Sequence, residues 1–477
     1  MATIVLEIPE EVNAVAPALL EMVETVQKQV ARGRMGASVD FAEFERLLAD
    51  KVNAVERAAL GVALGALDVD IPKVLIDGEL HARVLRAPTT FMTLAGPVSV
   101  TRSLYRPAGE RNAPVVDPVA LRAGALERVW LPAAAREMAY LVQQGTSREA
   151  ETTGQRLGRL PYSHSSFQHI AHVVGQRYVD QHQEIEQQLI EEFEVPEAAQ
   201  SISASLDRVS VPMEEPRDRP VGRPRKNAPK RPVSRAFRMA YCGTVTLHDG
   251  EGQALHTIRY GTMPAGDPEG LCTGMADDVI EMLGQRPDLK IQLLCDGAKE
   301  MWNLLEAEFT TAPFGTAKIL VSQLIDFWHA IEKLAPAAKI LFSDQEWKAE
   351  LARWKQCLRT RGGASAKILR ELVESGLEHV RVGDGEPVHE AITYFTNNQD
   401  RMDYAAARRA GLPIGSGAVE ATCKSLFAVR MKRPGARWKT RTGEHIVHLR
   451  ALALSDRWDT AMDLTLSSPR VKVRPAA

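Results

Sequence analysis

The stretch KIQLLCDGAKEMWNLLEAEF, residues 290–309, decides the fold. KIQLLC is a short, nearly continuous apolar run of the kind that forms a strand buried on both faces, and AKEMWNLLEAEF after it has helical spacing. Asp296 stands between them, at the carboxyl end of the strand, which is where open α/β sheets bind ligands. A second copy of the pattern follows. AKILVSQLI (317–325) is a strand, Asp326 closes it, and DFWHAIEKLA is the next helix. Strands that alternate with helices imply parallel neighbours in one sheet.

Upstream, SISASLDRVSVPM (201–213), FRMAYCGTVTLH (237–248) and ALHTIRYGTM (254–263) alternate as strands, the last two joined by the turn DGEGQ. They predict a meander, followed by a helix over 269–286. From 336 to 408 the chain reads as helical, and GLPIGSGAVEATCKSLFAVRMKR (411–433) opens a closing helix. The predicted order is β-β-β-α-β-α-β, a helical insertion, then a helix.

N-terminal to this core, residues 10–65 predict two long helices and 89–109 a hairpin around Gly96 and Pro97. Helices resume near 117. The segments 147–160 and 163–194, separated by Pro161 and Tyr162 and each opened by a capping Ser, have the spacing of a helix-turn-helix. That reading puts Ser163 to Gln176 in a major groove with Arg177 on phosphate; the plain alternative is a helical hairpin packed on itself. The expected domains are 1–195, 196–335, 336–408 and 409–477.

Composition narrows the class. The chain has 477 residues, 45% hydrophobic and 25% charged, ordinary for a soluble protein of several domains. Its N-terminus is acidic where a signal peptide is basic, and the longest apolar run, 58–67, is too short to span a bilayer, so a cytoplasmic location is expected. Five scattered cysteines without a C-x-x-C pair suggest free buried thiols. A net charge of −2 hides segregation, because the basic residues are clustered.

Three carboxylates stand where strand and core chemistry does not favour them. Asp207 shares a strand face with Val209, Val211 and Met213. Asp249 competes with it for the same role, although a hairpin turn explains an Asp-Gly pair fully. Asp296 ends its strand, and Asp326 ends the next with His329 one helical turn beyond, so spacing alone leaves two candidates for one place. Glu420 opens the closing helix, with Ser416 as its expected N-cap, along the edge of the stripe Val419, Cys423, Leu426 and Phe427. Carboxylates converging in this way repel one another unless divalent cations sit between them. Two Mg²⁺ or Mn²⁺ ions held so would clamp the attacking and leaving oxygens of phosphoryl transfer.

SLDRVSVPM, LLCDGAKEMW, LIDFWHAIEKL and GLPIGSGAVEATCKSLFAVRMKRPGARW together resemble the bacterial insertion-sequence transposases of the ISKra family. The resemblance implies a DDE enzyme with an α/β ribonuclease-H-like catalytic core, an all-α insertion and a mostly helical N-terminal DNA-binding region. It implies Asp207, Asp296 and Glu420 as the catalytic and metal-holding set, with Asp326 and His329 as an accessory D-x-x-H. The expected activity is metal-dependent cleavage of transposon-end DNA and transfer of the freed strand to target DNA, by a homodimer or larger assembly. A nuclease without strand transfer and a non-catalytic DNA-binding regulator are the rival readings.

Two basic clusters fit that partner. PRDRPVGRPRKNAPKRPVSR (216–235) is Pro-rich and without apolar periodicity, and its GRPRK resembles an AT-hook core for a narrow minor groove. Arg223, Arg225, Lys226, Lys230 and Arg231 are its expected phosphate contacts. The second cluster follows Glu420 and offers Lys424, Arg430, Lys432, Arg433, Arg437, Lys439 and Arg441, with Trp438 as a base-stacking candidate.

Overall fold

Asp77 and Gly78 both take positive φ, which lets the chain reverse in two residues between β1 (Lys73–Ile76) and β2 (Glu79–Thr93). The computed structural model that contains this turn describes residues 7–36, 38–215, 235–310, 314, 321–468 and 471–476. It divides into two compact units, Met1–Gln181 with Asp459–Ala477, and His182–Trp458.

In the first unit, β2 continues into a hairpin with β3 (Gly96–Pro107), and a short strand near the C-terminus, Val473–Pro475, adds to the far side of β1. The expected hairpin at 89–109 is therefore one end of a four-stranded antiparallel sheet. Before it come α1 (Ala16–Arg34) and α2 (Phe41–Gly65), the latter capped by the Asp40 carboxylate on Glu43 N–H. After it come α3 (Pro118–Arg122), α4 (Pro132–Gln144), α5 (Ser147–Arg156) and α6 (His164–Asp180). Ser163 caps α6 as expected, but α5 is capped by Thr146, which exchanges bonds with Glu149 in a capping box. Phe167, Ile170, Ala171 and Val174 bury one face of α6, leaving Ser163, Ser165, Gln168 and His169 exposed. Arg177 donates to the Ser467 carbonyl, so its guanidinium is engaged within the unit.

The second unit begins with α7 (His182–Glu191), a break at Gln181 dividing what the sequence reads as one helix from 163 to 194. Its sheet consists of β4 (Ser201–Glu214), β5 (Arg235–His248), β6 (Ala254–Thr262), β7 (Lys290–Cys295) and β8 (Val321–Ile325). The spatial order is β6-β5-β4-β7-β8, with the meander antiparallel and β4, β7 and β8 parallel. Crossover helices α8 (Pro268–Gln285) and α9 (Lys299–Phe309) connect β6 to β7 and β7 to β8. α10 (Phe327–Leu341) follows β8 and runs through Pro336, so the expected insertion boundary at 336 falls inside a helix. α11 (Trp347–Thr360), α12 (Ala364–Glu374), α13 (Pro387–Asn398) and α14 (Tyr404–Arg409) make up the helical stretch that follows.

The closing helix runs through α15 (Gly417–Thr422), a π-helical turn (Cys423–Ala428) and α16 (Val429–Met431); α17 (Thr440–Leu454) and α18 (Trp458–Thr465) complete the helices. Two glycines separate the faces of the sheet. A Cβ at Gly243 would lie 2.5 Å from Met275 Sδ on α8, whereas one at Gly261 would lie 2.7 Å from Leu426 and 2.8 Å from Val447 on the closing helix and α17. Gly261 pairs with Cys242, the residue before Gly243, so the two glycines face opposite ways and the helices cover both faces.

Arg457 ties the end of α17 back to the core. It lies 3.0 Å from Asp278 on α8 and 2.9 Å from Glu186 on α7, and the Tyr260 hydroxyl donates to the same Asp278 carboxylate at 2.5 Å. Burial pushes the Asp278 carboxyl up to about 6 even with Arg457 beside it, so desolvation outweighs the Coulombic return. Such a pair adds little net stability yet is costly to break. Arg457→Ala should destabilise the fold by about 3–5 kcal/mol by leaving Asp278 without its cation. Chemical denaturation checks this, and an unchanged midpoint would mean that solvent reaches the carboxylate.

Candidate active site

β4 and β7 pair only from Ser201 with Lys290 to Ala204 with Leu293, and then they part. The backbone groups left over at the fork are satisfied by a side chain: Cys295 Sγ accepts from Leu206 N–H at 3.4 Å and donates to Leu206 C=O at 3.2 Å. Asp207 and Asp296 are the next residue on each branch. The carboxyl end of the sheet, where the antiparallel meander gives way to parallel strands, thus carries one carboxylate on each branch of the fork.

Asp207 sits in a row of small cross-strand partners, Cys242 on β5 and then Gly261 on β6. The row lets the closing helix lie close to the sheet, and Cys423 of the π turn donates its thiol to Asp207 Oδ2 at 3.5 Å. All five cysteines are free, four of them buried. Asp249, the competing aspartate, accepts Glu251 N–H and Gln253 N–H inside its hairpin turn. Its neighbour His248 pairs with Ser201, six rungs from the Asp207–Cys242 pair, or roughly 20 Å along the strand. Turn chemistry is its role.

Asp296 shapes the start of α9. Its Oδ1 accepts Ala298 N–H at 2.9 Å and its carbonyl accepts Trp302 Nε1–H at 2.8 Å. Gly297 next to it has to be glycine, because a Cβ would lie 2.5 Å from Tyr394 of α13.

Asp326 is fully buried and structurally committed. One oxygen caps α10 by accepting His329 N–H at 2.8 Å, and the other accepts Ser416 N–H from the loop before Glu420. Its own N–H donates to Cys295 C=O at 2.7 Å, and Phe327 N–H donates to Ile414 C=O at 2.9 Å. These bonds fix loop 411–416 to the end of the sheet. Ser416 accordingly makes no side-chain cap, contrary to expectation; its backbone is held by Asp326 instead. The contacts from His329 and Ser416 outweigh burial and hold the Asp326 carboxyl below the usual range.

Glu420 emerges from this loop with its side chain 49% exposed and Oε1 3.8 Å from His329 Nδ1. Burial of its carboxyl end, then the negative charges of Asp326, Glu332 and Asp207, raise its proton affinity, and His329 opposes them. His329 Nδ1 is 3.2 Å from Asp326 Oδ1, yet it is a buried atom without an aligned hydrogen bond. Contact with Asp326, reinforced by the charges of Asp296 and Glu420, pushes the imidazole up to about 9.

Among the described residues, Asp326, His329 and Glu420 bring their ligand atoms within 4.8 Å of one another. Asp207 and Asp296 are outside that group but within its field: one acts on Glu420, the other on His329. The structure thus brings together the two residues read from sequence as accessory with the third acid of the set. The orphaned imidazole nitrogen between two carboxylates fits a divalent cation. A mixed nitrogen and oxygen donor set suits Mn²⁺ better than Mg²⁺, which prefers oxygen ligands alone.

The basic positions divide. Arg223, Arg225, Lys226, Lys230 and Arg231 lie outside the described residues. Lys424, Lys432, Lys439 and Arg441 are exposed, Arg433 is half-buried, and Arg437 is exposed with Glu214 4.0 Å away. Arg430 is buried at 6% exposure and stacks on Trp438, 4.9 Å from the ring centre. It recurs seven residues after Cys423, on the apolar stripe, and that periodicity could have flagged it. Trp438 is committed as well. Its indole N–H donates to Met431 C=O, and its backbone bonds to Pro212 and Glu214 extend the end of β4, so both side chains serve packing. Sequence reading passed over Trp328, Tyr394 and the glycines that seat them.

Two tests follow from this geometry. A Cβ at Gly261 would press on the π turn, so Gly261→Ala should shift the Glu420 helix and cost about 1–3 kcal/mol, as overpacking does; an unaltered midpoint would show that Leu426 moves aside freely. In metal-free buffer, the stabilisation from charged His329 is complete below its unfolded value near 6.5 and lost as pH rises through about 9. Thermal midpoints across that window should decline more steeply for wild type than for His329→Gln.

No protein-family profile matches the chain, and no characterised protein matches it in sequence. Among solved structures it is similar to the Drosophila P element transposase strand transfer complex, with 10% identity, a TM-score of 0.36, and coverage of 68% of this chain and 92% of that one. At that level the likeness carries no argument about fold or function.

Proposed function

We propose that this chain is a DNA-processing enzyme of the DDE transposase type, whose second unit is a ribonuclease-H-like core that cleaves and joins DNA strands. The observation that carries the reading is the fork between β4 and β7, with Asp207 and Asp296 on its two branches and Glu420 arriving on a helix that touches Asp207 through Cys423. The sequence resemblance to ISKra-family transposases assigns those same three residues.

On this reading Asp207, Asp296 and Glu420 hold two Mg²⁺ or Mn²⁺ ions, with Asp326 and His329 in support. Bound there, the ions would activate a water or a 3′-hydroxyl and stabilise the leaving oxygen. The protein's own part is positional. Asp326 fixes the loop from which Glu420 projects, Cys423 holds one oxygen of Asp207, and the Asp296 turn sets the distance between the β7 end and α9.

Transposon-end and target DNA are the proposed partners. The exposed face of α6 (Ser163, Ser165, Gln168 and His169) would read base edges in a helix-turn-helix arrangement, and Lys424, Lys432, Arg437, Lys439 and Arg441 would contact phosphates, with segment 216–235 adding further cations. A homodimer or larger assembly follows from the need to hold two ends. No helix among the described residues is long and apolar enough to cross a membrane.

The test is an assay with labelled DNA from the element's own flanks. Asp207→Asn, Asp296→Asn and Glu420→Gln should each lower cleavage and joining by at least about a hundredfold while leaving DNA binding near wild type, because outer-shell partners of a metal already cost 10–100-fold. Asp326→Asn, which can still cap α10, should fall in that milder range. Asp249→Asn should be silent. Wild-type cleavage by Glu420→Gln would refute the three-carboxylate site, and cleavage without joined products would leave a nuclease.

A further inference from the structure

Trp328 is a large aromatic left half in solvent at the edge of the acidic site, 49% exposed, one residue before His329. Its place is set by Gly415: a Cβ there would lie 3.3 Å from Trp328 Cδ1 and 3.7 Å from Asp326 Oδ2, so the indole and the buried carboxylate are neighbours across one glycine. Two cations from α11 lie over the ring. Lys355 Nζ is 5.7 Å and the Arg359 guanidinium carbon 5.6 Å from its centre, and Arg359 also lies 4.7 Å from the centre of Phe327. Phe327 is buried beneath, 5.3 Å from Trp328 and at 77° to it, which fixes the base of the indole while its outer part stays open.

We infer that Trp328, with Lys355 and Arg359, forms a stacking subsite for an unpaired nucleobase next to the phosphate that enters the acidic crevice. This rests on the phosphodiester reading above. Two cations already over the ring repel a cationic partner, and the part of the indole left in solvent beside them suits a ligand that carries a flat ring and an anion together, which is the chemistry of a nucleotide. Bases inside a duplex are already stacked on one another, so the subsite takes a base from a single strand or a frayed end. The helical insertion thereby gains a role in the site, because α11 supplies both cations.

Binding of the full-length chain to a fluorescein-labelled oligothymidylate and to a blunt duplex of equal length, in EDTA at matched salt, tests the assignment. Trp328→Ala should weaken oligothymidylate binding roughly five- to a hundredfold, the range of base–aromatic stacking, and leave the duplex unchanged. Trp328→Phe should restore most of the loss. Arg359→Gln and Lys355→Gln should instead reduce the salt dependence, each lowering the log–log slope by roughly 0.7 on single strands. Equal binding by Trp328→Ala and wild type on both probes, or an equal loss on both, overturns the subsite. If wild type binds the duplex but not oligothymidylate, the subsite alone falls. If it binds neither, the phosphodiester reading falls with it. Unchanged thermal midpoints of the variants exclude misfolding as the cause.

Discussion

One buried carboxylate holds the candidate site in place. Asp326 spends one oxygen on the first turn of α10 and the other on the amide of Ser416, ninety residues away in sequence. Without those two acceptors the N-terminus of α10 and the loop before Glu420 would both leave buried amides unpaired, at a cost of about 1–3 kcal/mol each. The arrangement also decides position. Its backbone bond to Cys295 fixes Asp326 beside the end of β7, so the loop that delivers Glu420 is measured from the same strand that delivers Asp296.

A second constraint acts at β4. Asp207 is in contact with the closing helix because the residues beside it are small: Cys242, then Gly261, with the thiol of Cys423 filling the remaining space. A larger residue in that row would lift the helix, and Glu420 with it. The π turn at Cys423–Ala428 lies directly above this row. Wide turns of this kind occur often at functional sites, because an added residue re-aims the side chains on either side of it.

Local pattern made part of this legible. The apolar runs before Asp296 and Asp326, the alternation around Asp207 and the glycine-bounded start of the Glu420 helix are signals contained within ten or so residues, and each element lies near its expected place. The Asp77–Gly78 hairpin was passed over, although KVLIDGELHARV has the residues a two-residue turn requires. What sequence could not supply was long-range pairing. The bond from Asp326 to Ser416, the strand Val473–Pro475 added to β1, and the stacking of Arg430 on Trp438 all depend on segments that only the tertiary fold brings together. For that reason neither the double cap made by Asp326 nor the packing roles of Arg430 and Trp438 could be read from local pattern.

The charges of the site argue for a separation of binding from chemistry on the proposed reading. Asp296, Asp326 and Glu420 act on the one histidine of the cluster, His329, and Asp207 and Glu332 add their charge around Glu420, so on that reading a phosphate approaching the site would meet a net negative field. The cations that attract nucleic acid lie outside it, with Lys424 on the closing helix and Lys355 and Arg359 beside Trp328. On that reading DNA would be held at the rim by charges that do not depend on metal, and divalent cations held by the carboxylates would offset the negative field that a phosphate meets inside. Separation of this kind would let DNA binding survive the loss of any one carboxylate, while the chemistry of the proposed site would still require Asp207, Asp296 and Glu420.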